Sequence, residues 1–337
     1  MQTTERKITS FGPILVFIAA MLWATDAPFR YHLTQNLSAS FIVLAEHAVN
    51  ILLILPFIFS GWREIKAMSP KQWLAVLIIG IGASALASVL FTKAFAFVNP
   101  SVAIVLQKFQ PLIVIGLATS FLKESLGRRF WLWAILALVG GYIISFPDLK
   151  PQLYYGETWN PNLVGVLLAL GAALLWGLGT VLGRYLLSPV HTNQNIAITY
   201  GREQMLRNEE ECPRLNFKTL AALRFLIAFL FLFALNLREG VLETIGTLTP
   251  KDILFIVIVA ITSGFTSLFI YYKGLETTRA SIATFAELGF PFLAVIVNVA
   301  TLGLFLKPLQ VIGMFLLILA VWRLTNMNRD ELGVSTT

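Results

Sequence analysis

The sequence predicts an all-α integral membrane protein, with ten transmembrane helices arranged as two inverted five-helix repeats. Three observations carry that expectation. The 337 residues are 57% hydrophobic and only 13% charged, with a mean hydropathy of +0.77, whereas an average soluble domain is roughly 25% charged. Ten apolar runs each have about the length, roughly 17–25 residues, that crosses a bilayer as a helix. The chain also repeats itself at an offset of 180 residues.

The runs cover 11–29, 39–60, 73–95, 101–122 and 130–146 in a first repeat (11–146), then 162–187, 219–237, 252–272, 281–305 and 309–325 in a second (162–325). Between spans six and seven lies an enlarged polar loop, 188–214, and the tails are 1–10 and 326–337. No single globule could enclose so much apolar surface, so lipid is the solvent for most of the chain. The net charge of +7 does not indicate nucleic acid, because the cations are scattered and not gathered on one face with aromatics. Cys212 stands alone, which excludes an internal disulfide.

Ten spans put both tails on one side. That side collects sixteen lysines and arginines against five opposite (Arg30, Lys150, Arg238, Lys251 and Lys307). The bias assigns both termini to the cytoplasm, in a multi-pass protein of the bacterial inner (plasma) membrane. Residues 1–24 imitate a cleaved signal peptide, with Arg6 and Lys7 before an apolar run and Thr25-Asp26-Ala27 after it. Against cleavage, AAMLWATDAPFRYHL (19–33) resembles AALLWGLGTVLGRYLL (172–187), with Trp23 over Trp176. A disposable leader has no reason to resemble span six.

The repeat is plainest where FTKAFAFVNPSVAIVLQKFQP (91–111) lies over YYKGLETTRASIATFAELGFP (271–291) without a gap. Lys93 meets Lys273, Pro111 meets Pro291, and Gln107 falls on Glu287. Five spans per repeat is an odd number, so the halves cross in opposite senses, a recurrent construction of secondary transporters. LQKFQPLIVIGLATSFLKESLGRRFWLWAILALVGGYIIS (106–145) and LGFPFLAVIVNVATLGLFLKPLQVIGMFLLILAVW (288–322) resemble the EamA-type repeat of the drug/metabolite transporter superfamily. The shared features are a polar residue and a proline in the fourth span, Glu124 at its cytoplasmic end, and a glycine-containing fifth span. The second copy departs from the pattern: FLKES (121–125) is answered by FLKPL (305–309), which puts Pro308 where the acid belongs. The enlarged loop 188–214 is a second departure. The resemblance implies a carrier of a small organic metabolite, such as an amino acid, a related compound or a drug-like solute, working by alternating access.

The candidate substrate-binding residues are Lys108, Gln107, Glu287, Trp23, Trp176 and Asp26. At 1.5 Å of rise per residue, Pro111 and Pro291 lie about 15 Å into a roughly 30 Å core. Lys108 and Glu287 approach that level from opposite faces. A charge at a helix centre costs roughly 2.5–3.5 kcal/mol on insertion scales, so these two are expected to face each other or a wet cavity. A zwitterion such as an amino acid could split the pair; the plainer reading is an ion pair that fixes how spans four and nine pack. The two prolines lack N–H groups, and the carbonyls of Gln107 and Glu287 are expected to be free for a ligand. Asp26, a titratable carboxylate near the outer end of span one, suits coupling to a proton or another ion, or else pairs with Arg30 one turn on. Glu46, His47 and Arg224 line the pathway, or Glu46 and Arg224 pair between helices. Lys93 and Lys273 are gate candidates that snorkelling explains equally. Gly179 and Gly183 have the spacing of a close helix contact.

No cofactor or metal is implied. GxxxxGK[ST] and HExxH are absent, and three histidines with one cysteine make no metal site. The expected partners are a small-molecule substrate and the lipid bilayer, in a monomer or homodimer, with no nucleic acid. Asn36-Leu-Ser38 is a formal glycosylation sequon. The competing class is a multispan membrane enzyme or lipid-modifying protein, which needs a clustered catalytic set at one interface; here the ionisable residues are spread between spans.

Overall fold

The computed structural model describes residues 11–110, 112, 128–149, 154–155, 158–187, 215–238, 240–275, 287 and 289–325. Pro111, Glu124, Cys212, the loop 188–214 and both tails lie outside the described residues. The main helices are α1 Phe11–Trp23, α2 Ala27–Leu33, α3 Ala39–Ser60, α4 Pro70–Ala94, α5 Pro100–Leu106, α6 Arg128–Ser145, α7 Pro161–Leu187, α8 Phe217–Arg238, α9 Pro250–Leu275, α10 Gly289–Leu302 and α11 Pro308–Thr325, with short helical turns at Trp62–Lys66 and Val241–Ile245. Among the described residues, six units are long and apolar enough to cross a membrane: Gly12–Leu33, α3, α4, α7, α8 and α9. Shorter apolar helices cover Trp131–Ser145, Phe290–Leu302 and Pro308–Ala320. A two-stranded antiparallel hairpin pairs Tyr154 with Trp159.

Local chemistry sets the ends. Ser69 and Gln72 form a reciprocal capping box at the start of α4, and Thr249 with Asp252 forms another at the start of α9; each helix has proline in its first turn. Ser38 of the sequon caps α3, its Oγ accepting from the Phe41 amide at 3.2 Å. The first span does not end near residue 29 as expected. It bends at Ala24–Asp26, where Thr25 turns its hydroxyl onto the Leu22 carbonyl, and Pro28 restarts it as α2, which runs to Leu33. Arg30 is therefore not the loop cation that the sequence made it: it is 7% exposed.

Two helices contain long π-helical segments, Ile78–Leu86 in α4 and Ala260–Thr266 in α9. At the 180-residue offset these largely coincide. A π turn widens the helix and leaves carbonyls out of the regular ladder, and it occurs often at functional sites.

Several of the main packing contacts recur in matching pairs. The last turns of α9 pack on α1, and those of α4 pack on α7; the π segment of α4 meets α8, and that of α9 meets α3. Helix α8 packs on α3, α10 on α5, and α11 on α6. The α6–α11 crossing is backbone to backbone. A Cβ on Gly140 would stand 2.7 Å from the Leu317 amide nitrogen, and one on Gly313 would stand 2.7 Å from the Gly140 carbonyl. Small residues allow such approach where lipid supplies no hydrophobic drive between helices. Gly179 has the same use, since its Cβ would meet that of Ala83 at 2.3 Å. The outward faces carry exposed Leu52, Phe59 and Phe305.

Candidate functional site

A central cavity with an empty volume of about 1050 Å³ opens between α1–α2, α3, α4, the end of α5, α7, α8, α9 and the start of α10. Three groups of polar side chains divide it.

The first is a buried triad. Arg30 extends from α2, and its Nε donates to Asp26 Oδ2 at 2.7 Å. Its Nη1 and Nη2 grip Glu46 of α3 side by side, at 2.7 and 2.8 Å. Nη1 also reaches Thr92 Oγ1 of α4 at 3.1 Å. Such two-pronged binding is what a planar guanidinium does best. Asp26, Arg30 and Glu46 are all under 9% exposed. Two carboxylates share one cation. Glu46 thus pairs with Arg30 and not with Arg224, because the bend at Ala24–Asp26 carries Arg30 inward to meet it.

The second group is the Lys108–Glu287 pair, with Nζ to Oε2 at 3.5 Å and Nζ lying 5.0 Å from the Phe290 ring centroid. Lys108 is 5% exposed, and both residues of the pair border the cavity. The carbonyls beside them are not free. That of Gln107 accepts from the Gln110 amide, and that of Glu287 from the Phe290 amide at 3.1 Å. In each case the chain tightens into a turn that uses the amide three residues on, so a missing N–H four residues on leaves no vacancy.

The third group lies on α8 and α3. Arg224 Nη1 donates to the Tyr272 hydroxyl at 3.0 Å, and Nη2 donates to the Ala83 carbonyl at 3.1 Å. Among the described residues no carboxylate pairs with it, and its Nε is buried without a partner. His47 bonds the Val43 carbonyl at 2.8 Å and Ser84 Oγ at 3.1 Å, with its ring against Phe225. Asn50 is 1% exposed, and its Oδ1 has no partner. Gln107 Oε1 is orphaned in the same way.

Aromatic rings supply the walls. Trp23, Phe91, Trp176, Phe225, Tyr271 and Phe290 all line the space. Trp23 donates from Nε1 to the Ser263 carbonyl at 2.9 Å and lies beside the Tyr271 ring. Two carbonyls that accept from cavity side chains on other helices, Ala83 and Ser263, stand 180 residues apart in the two π segments. A donor on α1 binds the π segment of α9, and a donor on α8 binds that of α4.

Trp23, Asp26, Glu46, His47, Gln107, Lys108, Trp176, Arg224 and Glu287 all border the cavity. Pro111 lies outside the described residues, and Pro291 is buried in α10. Lys93 and Lys273 do not line the cavity: both are exposed, and the Lys273 ammonium rests 4.9 Å from the Phe217 ring centroid. Asn50, Ser84 and Tyr271 are cavity residues that the sequence reading passed over, and Arg30, named there only as a partner for Asp26, is another. A usable signal exists for Asn50, because 46, 47 and 50 recur on one face of an otherwise apolar helix.

The profile of the EamA-like transporter family matches residues 10–146 and 212–325. The riboflavin transporter ImpX of Fusobacterium nucleatum subsp. nucleatum is 26% identical over 321 residues, which cover 94% of this chain and 98% of that protein. A solved crystal structure superposes with a TM-score of 0.57 at 15% identity, covering 94% of this chain and 96% of that one; this is a likeness of fold.

Proposed function

The chain belongs to the EamA-like transporter family, and we propose that it is a secondary active carrier of a flat heteroaromatic metabolite of the flavin class, working by alternating access between two inverted five-helix repeats. The observation that carries this reading is the central cavity, walled by tryptophan, tyrosine and phenylalanine and lined with polar groups that lack partners. Riboflavin is the name attached to a relative matched over nearly the whole chain, and a tricyclic ring suits these walls. The amino-acid reading is less well supported, because Lys108 and Glu287 already satisfy each other.

The exchange symmetry of the packing supports two repeats that cross the bilayer in opposite senses: α9 on α1 answers α4 on α7, and the π segment of α4 on α8 answers that of α9 on α3. Cross-half bonds to the Ala83 and Ser263 carbonyls tie each half to the other at a wide turn, the kind of contact that rocking of the halves must remake. The triad suits a proton as coupling ion, because its two carboxylates exceed its one cation and border the substrate space. Both termini are taken to be cytoplasmic, in a bacterial inner membrane.

Counterflow in proteoliposomes tests the reading. Labelled riboflavin should accumulate transiently against unlabelled riboflavin inside, with saturable kinetics. Flux that rises linearly with concentration, or no flux above empty liposomes, overturns it.

A further inference from the structure

We propose that Asn50 and Arg224 form a recognition corner for the –CO–NH– edge of a ring, so that the substrate is a lactam or imide heterocycle. The inference rests on the carrier reading above and adds the chemical edge that is read. Asn50 on α3 and Arg224 on α8 lie on helices packed together and border the same cavity. The His47–Phe225 ring contact, with centroids 5.5 Å apart, bridges these helices next to both. Arg224 has spent two of its nitrogens on Tyr272 and Ala83, which holds the guanidinium still. The nitrogen left over, Nε, carries an N–H with nothing to bond, and Asn50 Oδ1 is an acceptor with nothing to bond.

A buried polar group without a partner costs free energy, so a donor and an acceptor left over beside one cavity mark a place where a ligand completes the set. The complement is a ligand oxygen beside a ligand N–H. In a space with aromatic walls, that pair belongs to a flat ring with a carbonyl next to a ring N–H. A carboxylate would satisfy Arg224 and leave Asn50 Oδ1 facing another acceptor, so a plain acid is the poorer match. Gln107 Oε1, also orphaned, offers a second N–H its acceptor.

The test compares rings with and without that N–H by equilibrium dialysis against the purified full chain. The probes are riboflavin beside its N3-methyl derivative and lumazine beside 1,3-dimethyllumazine, since N1 of lumazine also carries an N–H next to a carbonyl. In the unmodified protein, methylation should weaken binding about tenfold or more, as expected when a site built to bond an N–H meets an analogue lacking it. In Asn50→Ala the preference should fall to about one, since a residue that only supports the fold would weaken both members of a pair alike. Equal binding of the parent and methylated rings by the unmodified protein overturns the proposal, and so does the absence of binding by any of the four. A preference that survives Asn50→Ala also overturns it. If lumazine shows the preference and riboflavin does not bind, the corner stands and the flavin assignment falls. If riboflavin binds as tightly as its methyl derivative, the carrier reading stands and the corner falls.

Discussion

Replacing Arg30 by Met removes a cation of similar length from between two carboxylates and leaves both behind. Asp26 is 8% and Glu46 3% exposed, and the change deletes four hydrogen bonds of 2.7, 2.7, 2.8 and 3.1 Å. Breaking a buried pair by removing one partner costs about 3–5 kcal/mol, because the other charge stays buried without compensation. Here two charges are stranded, so about 3 kcal/mol is the lower bound. At roughly 2 °C per kcal/mol for a chain of this size, the midpoint of unfolding should fall by about 6–10 °C. A fluorescence melting curve of the detergent-solubilised protein reads this directly. The control is Lys307→Met, which removes a cation from Asp148 at 3.2 Å where the side chains are 59% and 77% exposed. That pair is worth at most about 1 kcal/mol, so the control should move the midpoint by roughly 2 °C or less. Adding Glu46→Gln to Arg30→Met should recover part of the loss by taking away one stranded charge. An Arg30→Met protein that melts with the control would refute the claim that the triad is a buried, mutually dependent unit.

Three further outcomes are expected. Glu46→Gln should abolish riboflavin uptake driven by a pH gradient while leaving counterflow at equal pH; uptake that still follows the gradient removes the triad from coupling. Lys108→Gln should lower the melting midpoint by stranding Glu287, and the double change Lys108→Gln/Glu287→Gln should restore it, because a neutral pair carries no desolvation penalty; a double variant no more stable than the single one contradicts the pairing. Gly140→Val should cost about 1–3 kcal/mol by overpacking, since even a Cβ there would stand 2.7 Å from backbone, and a midpoint within about 1 °C of the parent counts against so close a crossing of α6 and α11.

Six of the expected spans were legible because lipid imposes a rule that single residues can answer: an apolar run of sufficient length, with prolines and caps at its ends. Ala39–Ser60 falls where the apolar run placed it, and Ser69, Gln72, Thr249 and Asp252 mark two starts by their own chemistry. The cavity residues were half legible. Lys108 and Glu287 announced themselves because a charge among apolar neighbours is costly wherever it points. Arg30 did not, since it stands at the end of an apolar run, where a cation normally means water. Asn50 carries no charge, and a lone amide in a long helix does not stand out until its neighbours are known.

By itself, the order of residues determined that the chain lives in lipid, that it is helical, that it is written twice, and which charges sit far from its ends; these follow from composition, period and spacing along one strand of chain. The sequence offered Asp26–Arg30 and Lys108–Glu287 as pairs; that Glu46 joins Arg30 and not Arg224 was decided only in three dimensions. Arg30 turns inward to Asp26 and Glu46 because Thr25 and Pro28 bend the first span, Arg224 is left to bond Ala83 and Tyr272, and the Gln107 and Glu287 carbonyls close on amides three residues away. Partners are chosen by the directions in which helices present side chains across a packed interior, and those directions depend on bends, wide turns and close glycine crossings that act between segments far apart in the chain.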